Sequence, residues 1–244
     1  MIDWLREDRL DPKVEVAGRK LPIAIRRHAR ARRLTMRLAP DGSEVRITLP
    51  TWGRTIDAIT FANARVEWLT QQLDRQPEAV NIAPGSAFAF RGQQLMIAWN
   101  KSAPRTPYRD GASIVVGGPE DRIVPRLRRW LEGEALALAR ADLAFYCKRD
   151  GREAPDLKLS RAQRRWGSCS GTSRETRTIR INWRLVMAPD AVRRSVVAHE
   201  VAHLTHFDHS PAFHRLLRNL FEGDLAAADG WLREQGRSLY VPFG

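Results

Sequence analysis

His199-Glu200-Val201-Ala202-His203 sets the tightest condition on how this chain can fold. On a helix, residues i and i+4 share a face, so both histidines can point at one metal ion. Glu200, beside the first histidine, would then be placed to take a proton from a metal-activated water. The surroundings supply the helix independently. Pro189 marks a first turn, and Val192, Val196 and Val197 recur at helical spacing. The pattern predicts a helix over residues 189–207, and Ser210 with Pro211 predicts another over 211–221.

His199, His203, His206 and His209 fall within eleven residues, His214 follows, and of the six histidines only His28 lies elsewhere. A catalytic zinc takes three protein ligands and keeps one position open. Candidates for the third are His206, His209, His214 and the downstream Glu222. His206 stands about 10 Å along the helix axis from His199, too far to share an ion seated between His199 and His203. His209 follows the expected helix break, where the chain can turn back, and is the preferred ligand; Glu222 is the alternative. His206 then reads as a supporting or solvent-facing residue, and His214 as a packing one.

The rest of the chain divides by pattern. VEVAGRKLPIAIRR (residues 14–27) and RRLTMRLAPDGSEVRITLP (32–50) alternate at period two around Gly18 and around a Pro40-Asp41-Gly42 turn. A helix is expected from Ile56 through Leu69, then short strands at 87–90 and 95–99. The Gly-, Pro- and Ser-rich stretch 101–120 reads as a linker. A long helix is expected over 123–150, followed by two antiparallel strands in LKLSRAQRRWGSCS and TRTIRINWRLV. The reading is therefore α+β: a strand-rich N-terminal region, 1–112, and a helical second domain, 113–244, with helices on a small antiparallel sheet.

Composition narrows the partners. Forty-one basic residues face 28 acidic ones, a net charge of +13, and lysine supplies only five of the basic side chains. Such a balance favours anionic partners. Arg161, Arg164, Arg165, Arg174, Arg177, Arg180 and Arg184 precede the helix of the histidine motif, opposed only by Glu175. RRHARARRLTMR (26–37) holds six arginines and no acid, with Arg33, Thr35 and Arg37 alternating onto one strand face. These runs are either nucleic-acid or phosphate contacts, or solvated sheet faces. Two cysteines, Cys147 and Cys169, make no disulfide framework. With a charged N-terminus and no long apolar run, the expectation is a cytoplasmic protein with no membrane partner.

RRWGSCS (164–170), INWRLVMAP (181–189) and VVAHEVAHLTHFDHSPAF (196–213) together resemble the YgjP-like family of metal-dependent hydrolases. That family's pattern has an RWGSCS segment, an N-W-R-L strand, a HExxH helix and a histidine followed by S-x-x-F. RARRLTMRLAPDGSEVRITLP (30–50) resembles its N-terminal hairpin, so the likeness covers most of the chain; the insertion GTSRETRT (171–178) departs from it. The resemblance implies a zincin-like catalytic core, related to SprT-like and gluzincin metallopeptidases, with one Zn2+ per chain. It implies His199, His203 and His209 as ligands, Glu200 as general base, and Trp166-Gly167-Ser168-Cys169 on a strand near the helix.

A zinc-dependent peptidase acting on a peptide or protein leads. A nucleoside triphosphate pyrophosphohydrolase is the alternative, since some relatives are described so and a nucleotide suits the arginines. A nucleic-acid-binding module with a structural metal is the third reading, but it needs a fourth ligand that no spacing offers. Tyr240 is a candidate oxyanion donor, with packing the favoured role.

Overall fold

Strict alternation in the first hundred residues is converted into sheets. In the computed structural model, which describes residues 11–39, 42–74, 81–171 and 176–243, contacts gather the chain into two units, 1–78 and 79–244. The first unit has strands β1 (Lys13–Val16), β2 (Arg19–Arg27), β3 (Thr35–Leu38) and β4 (Val45–Leu49), ordered β1-β2-β4-β3. β1 and β2 turn back at Ala17-Gly18, both at positive φ. β3 and β4 form the expected antiparallel hairpin; Pro40 and Asp41 of its turn lie outside the described residues. One sheet face buries Val14, Val16, Leu21, Ile23, Val45, Ile47 and Leu49 with Ala58, Ala62 and Leu69. Those last three come from α1 (Thr55–Asn63) and α2 (Val66–Asp74), two helices where the sequence suggested one.

The second unit opens with β5 (Ala87–Phe90), β6 (Gln93–Asn100), β7 (Tyr108–Asp110) and β8 (Ser113–Gly117), in the order β5-β6-β8-β7. The stretch expected to be a linker thus holds two strands. β7 is exposed at all three positions, so no alternation marks it. β8 is apolar, and its Ile114 and Val116 join one core with Ile97, Ile123 and Leu127. Residues 81–112, assigned above to the N-terminal region, accordingly pack with the second unit.

α3 (Ile123–Arg149) follows, 27 residues and so about 40 Å long, and buries Leu127, Leu131, Ala135, Ala139, Leu143 and Tyr146. A second sheet contains β9 (Asp156–Ser160), β10 (Gly167–Ser170) and β11 (Thr178–Asn182) in the order β10-β11-β9. β10 and β11 are antiparallel as expected, but β9 joins β11 in parallel, so the sheet is mixed. Residues 172–175 of the connecting insertion, including Arg174 and Glu175, lie outside the described residues. α4 (Asp190–Ala202), α5 (Pro211–Leu220) and α6 (Leu225–Gln235) complete the unit.

α4 carries the histidine motif, and three devices fix it. Arg193 on α4 and Asp142 on α3 form an ion pair at 2.8 Å, with side chains only 4% and 6% exposed. Arg91, in the β5–β6 turn, reaches Asp190 in the first turn of α4 at 2.5 Å, and Arg193 bonds the same carboxylate. The turn itself docks: Arg91 N–H donates to Val186 O at 2.8 Å and Gly92 N–H to Met187 O at 3.1 Å. Gly92 combines positive φ with 3.0 Å clearance from Pro189 for any added Cβ, so only glycine serves there.

Asp142→Ala leaves Arg193 buried with Asp190 as its remaining carboxylate and removes one hydrogen bond to a charged group. It is expected to lower the urea unfolding free energy by about 1.5–3 kcal/mol, beyond an exposed-pair deletion such as Asp229→Ala. Burial alone would raise the Asp190 carboxyl, but hydrogen bonds from Arg91 and Arg193 hold it below the usual carboxylate range. Its stabilisation is complete above the unfolded carboxyl value of about 3.9 and fades as pH falls through the lower folded value. Asp190→Asn should therefore flatten the acid limb of a stability–pH profile.

Candidate metal centre

α4 ends at Ala202, with His203 as its C-cap, rather than running on to residue 207. His203 N–H still closes the last turn on His199 O, so the two side chains remain on one face. The chain then turns, and His209 comes back onto them. The Ser210 side chain caps α5 by accepting from Phe213 N–H, which fixes His209 immediately before the helix. Phe213 is fully buried beneath the cluster, its ring centroid 4.9, 4.6 and 4.9 Å from those of His199, His203 and His209.

The three imidazoles converge through nitrogen. His199 Nε2 lies 3.1 Å from His203 Nε2 and 3.3 Å from His209 Nε2, and one nitrogen from each ring falls within a 4.8 Å cluster. Two nitrogens on one tetrahedral zinc, each at about 2.0–2.1 Å, stand about 3.3–3.4 Å apart. The two separations from His199 are close to such an edge, while the three nitrogens together span 4.8 Å. His203 Nδ1 lies 2.9 Å from His206 O, and a carbonyl only accepts, so the proton sits on Nδ1 and Nε2 keeps its lone pair. Burial, with the neighbouring His203, His209 and His214, holds His199 down at about 4, and burial also lowers His203. Both are thus neutral, the ligand form, at pH 7. Among the described residues the cluster offers three donor atoms, which leaves a tetrahedral ion one position.

Glu200 follows His199 but faces inward, 5% exposed, against β10. A Cβ on Gly167 would lie 2.7 Å from Glu200 Cγ and 2.8 Å from its Cδ, so glycine opens the space the carboxylate fills. Burial pushes the Glu200 carboxyl up to about 7, against smaller opposing pulls from Arg165 and from the Cys169 N–H. Its Oε2 is buried with no protein hydrogen-bond partner. Such an orphan costs about 1–3 kcal/mol, which a structural carboxylate would avoid.

The remaining candidates sort clearly. Glu222 is engaged elsewhere, by Arg194 at 2.5 Å and by the Tyr146 hydroxyl at 2.9 Å. His206 contributes its carbonyl. His214 is exposed on α5, its ring 5.4 Å from Phe213. Tyr240 is buried, its hydroxyl donating to Ala162 O at 3.2 Å and accepting from Asn182, a packing role. Cys169 lies on β10, its thiol raised by burial, and is outside the nitrogen cluster. Phe213 and Gly167 figure in the sequence only as members of the family-like motifs, with no role of their own. A glycine inside a strand, signalling close approach of another group, was the available sign for Gly167.

The arginines before α4 mostly serve the fold. Arg184 is buried over the rings of Trp183 and Tyr240, at 4.9 and 4.7 Å. Arg177 bonds Leu204 O and lies over Phe207, Arg161 pairs with Glu132 at 3.0 Å, and Arg180 bonds Ser170 Oγ at 2.8 Å. Arg165, exposed, acts electrostatically on Glu200. Asn182 holds the loop that presents it, donating to Ala162 O at 2.7 Å and, more weakly, to Arg165 O at 3.4 Å.

A family model described as YgjP-like, metallopeptidase domain, matches residues 32–235. No curated protein and no solved structure matches the chain. Neither does any described helix have the length and apolarity to cross a membrane.

The geometry separates neighbouring histidines experimentally. His209→Ala should cut zinc retained after dialysis to a small fraction of one equivalent, whereas His206→Ala, which leaves the carbonyl on His203, should keep it. Elemental analysis of the two purified variants reads the difference directly.

Proposed function

This chain belongs to the YgjP-like metallopeptidase family, a family of metal-dependent hydrolases, and from that premise we propose that it is a zinc-dependent peptidase. The observation that carries the reading is a buried, unpartnered Glu200 oxygen in the residue next to one of three convergent imidazoles. In this reading His199, His203 and His209 hold one Zn2+, which when bound supplies Lewis acidity and makes a water a nucleophile near neutral pH.

The chain's own groups then divide the work. Glu200 takes the proton of the attacking water and passes it to the leaving amine, a role that leaves an oxygen free of other donors. Gly167 and the Cys169 N–H hold that carboxylate in place from β10. The His206 carbonyl keeps the His203 proton on Nδ1. Phe213 lies buried beneath the three rings, and His209 is the most exposed of the three.

Two alternatives are weaker. A triphosphate pyrophosphohydrolase needs cations gathered on the substrate; Arg161, Arg177, Arg180 and Arg184 are engaged within the protein, which leaves the exposed Arg164 and Arg165 for that role. A structural metal site needs closure, and among the described residues the nitrogen cluster has three members.

Metal content and hydrolysis should be measured together on wild type, Glu200→Gln and Gly167→Ala, with casein and the four nucleoside triphosphates. The expected result is one zinc in all three proteins and casein cleavage reduced about 10²–10⁴-fold in both variants. Cleavage of a triphosphate instead, lost in Glu200→Gln, would reassign the reaction while keeping the site. Wild type unable to take up zinc would sink both.

A further inference from the structure

The first unit is left with one sheet face covered and one open. Along β2, β4 and β3 the outward positions are Lys20, Pro22, Ala24 and Arg26, then Arg46 and Thr48, then Thr35 and Arg37. Register aligns them across the sheet: Ala24 beside Arg46 beside Arg37, and Arg26 beside Thr48 beside Thr35. Two arginines therefore stand directly opposite each other, an arrangement that destabilises a sheet unless an anion lies between them. Glu44 offsets one, pairing with Arg46 at 2.6 Å. Glu15 lies at the far edge, opposite Lys20.

The charge continues past the strand ends. β2 and β4 run parallel, so Arg27 and Leu49 finish side by side, and β3 begins beside them at Thr35. The connection of residues 28–34 therefore shares that end of the sheet with the turn of residues 50–53. The first presents Arg30, Arg32 and Arg33, all exposed; the second presents Trp52, 75% exposed. Arg27 ties the second turn down, donating to Gly53 O at 3.3 Å and Thr55 Oγ1 at 3.1 Å, and the His28 ring accepts from Arg30 N–H at 3.2 Å. Trp52 is thus an aromatic plane in water on an anchored turn. Arg26, Arg30, Arg32, Arg33 and Arg37 form no ion pair with another described residue.

We propose that this face and its Trp52 end bind single-stranded nucleic acid, the arginines holding phosphates and Trp52 stacking a base. Guanidinium forks match phosphate oxygens bidentately, and arginine is chosen here almost to the exclusion of lysine. An exposed indole gains from a nucleic acid only when a base is unstacked, which favours a single strand over a duplex. A lipid surface would share the anionic chemistry but offers no base. This binding is independent of the hydrolytic reading above and would stand if that reading fell.

The test uses the full chain and a fluorescein-labelled oligothymidylate of about 20 nucleotides, followed by anisotropy from about 50 to about 200 mM KCl. Wild type should bind with a log–log salt slope of magnitude about 2–4, near 0.7 per phosphate contacted. Trp52→Ala should weaken binding about 5- to 100-fold at unchanged slope. Arg33→Gln/Arg37→Gln should reduce the slope by about 1.4. Both sites are exposed, and unchanged thermal melts and zinc content would show that the fold is intact. Variants that bind like wild type would overturn the proposal, as would tighter binding to a duplex of the same length or to phosphatidylserine vesicles.

Discussion

Arg193 and Asp142 meet in the interior at 2.8 Å, and their pairing sets the rotation of α4 about its own axis. Arg193 and Glu200 are seven residues apart, within about 20° of the same helix face. Locking Arg193 onto α3 therefore turns Glu200 inward as well and leaves His199 and His203 on a neighbouring stripe. Two charged residues on the buried stripe of a helix would ordinarily be a packing fault. Here one is neutralised by a carboxylate and the other rests against a glycine. Asp190, gripped from both Arg91 and Arg193, holds the helix start in register with the β5–β6 turn.

Downstream of α4 the site depends on where the helix stops. Had it continued past Ala202, His206 would lie a further turn along the same face and the His206 carbonyl would be spent inside the helix. Stopping at His203 frees that carbonyl for Nδ1 of the same histidine and lets the chain bring His209 back. Ser210 then restarts a helix, and Phe213, one turn in, becomes the floor on which all three rings stand. One short segment, residues 203–213, thus supplies two of the three clustered imidazoles, the carbonyl that supports one of them, a cap and a packing platform.

How far these features were legible from sequence follows from the range of the forces involved. The helix carrying His199 and His203, the cap at Ser210, the hairpins and the return of His209 all rest on local signals: period, turn residues, proline placement. The end of α4 at Ala202 carries no glycine or proline to mark it in the sequence, and the His203 ring meets the His206 carbonyl just beyond it. β7 and β8 were hidden in a Gly- and Pro-rich stretch, since β7 buries nothing and β8 earns its place by packing against α3 residues such as Leu127. β9 was merged with β10, because parallel pairing to β11 leaves no turn signature. The arginines before α4 looked like one basic surface; burial of Arg184 under Trp183 and Tyr240 is a fact about rings brought together from residues 183 and 240.

Local rules are broken in this chain at a few places, and the breaks coincide with the features assigned chemistry. A strand glycine, Gly167, is weaker in a sheet than a residue with a side chain, by roughly 0.5–1 kcal/mol. A buried carboxylate oxygen, on Glu200, lacks a donor. Three imidazole nitrogens crowd together, two of them within 3.3 Å of His199 Nε2. On the first unit, Arg37 stands opposite Arg46 and an indole faces water. Each arrangement raises the free energy of the isolated fold, and each is relieved by a particular addition: a cation for the imidazoles, a proton donor for Glu200, a polyanion with bases for the arginines and Trp52. A fold shaped by stability alone would remove such conflicts by single substitutions. In the readings proposed above, a metal ion and its water relieve the conflicts at α4, and a single-stranded polyanion relieves those on the first unit.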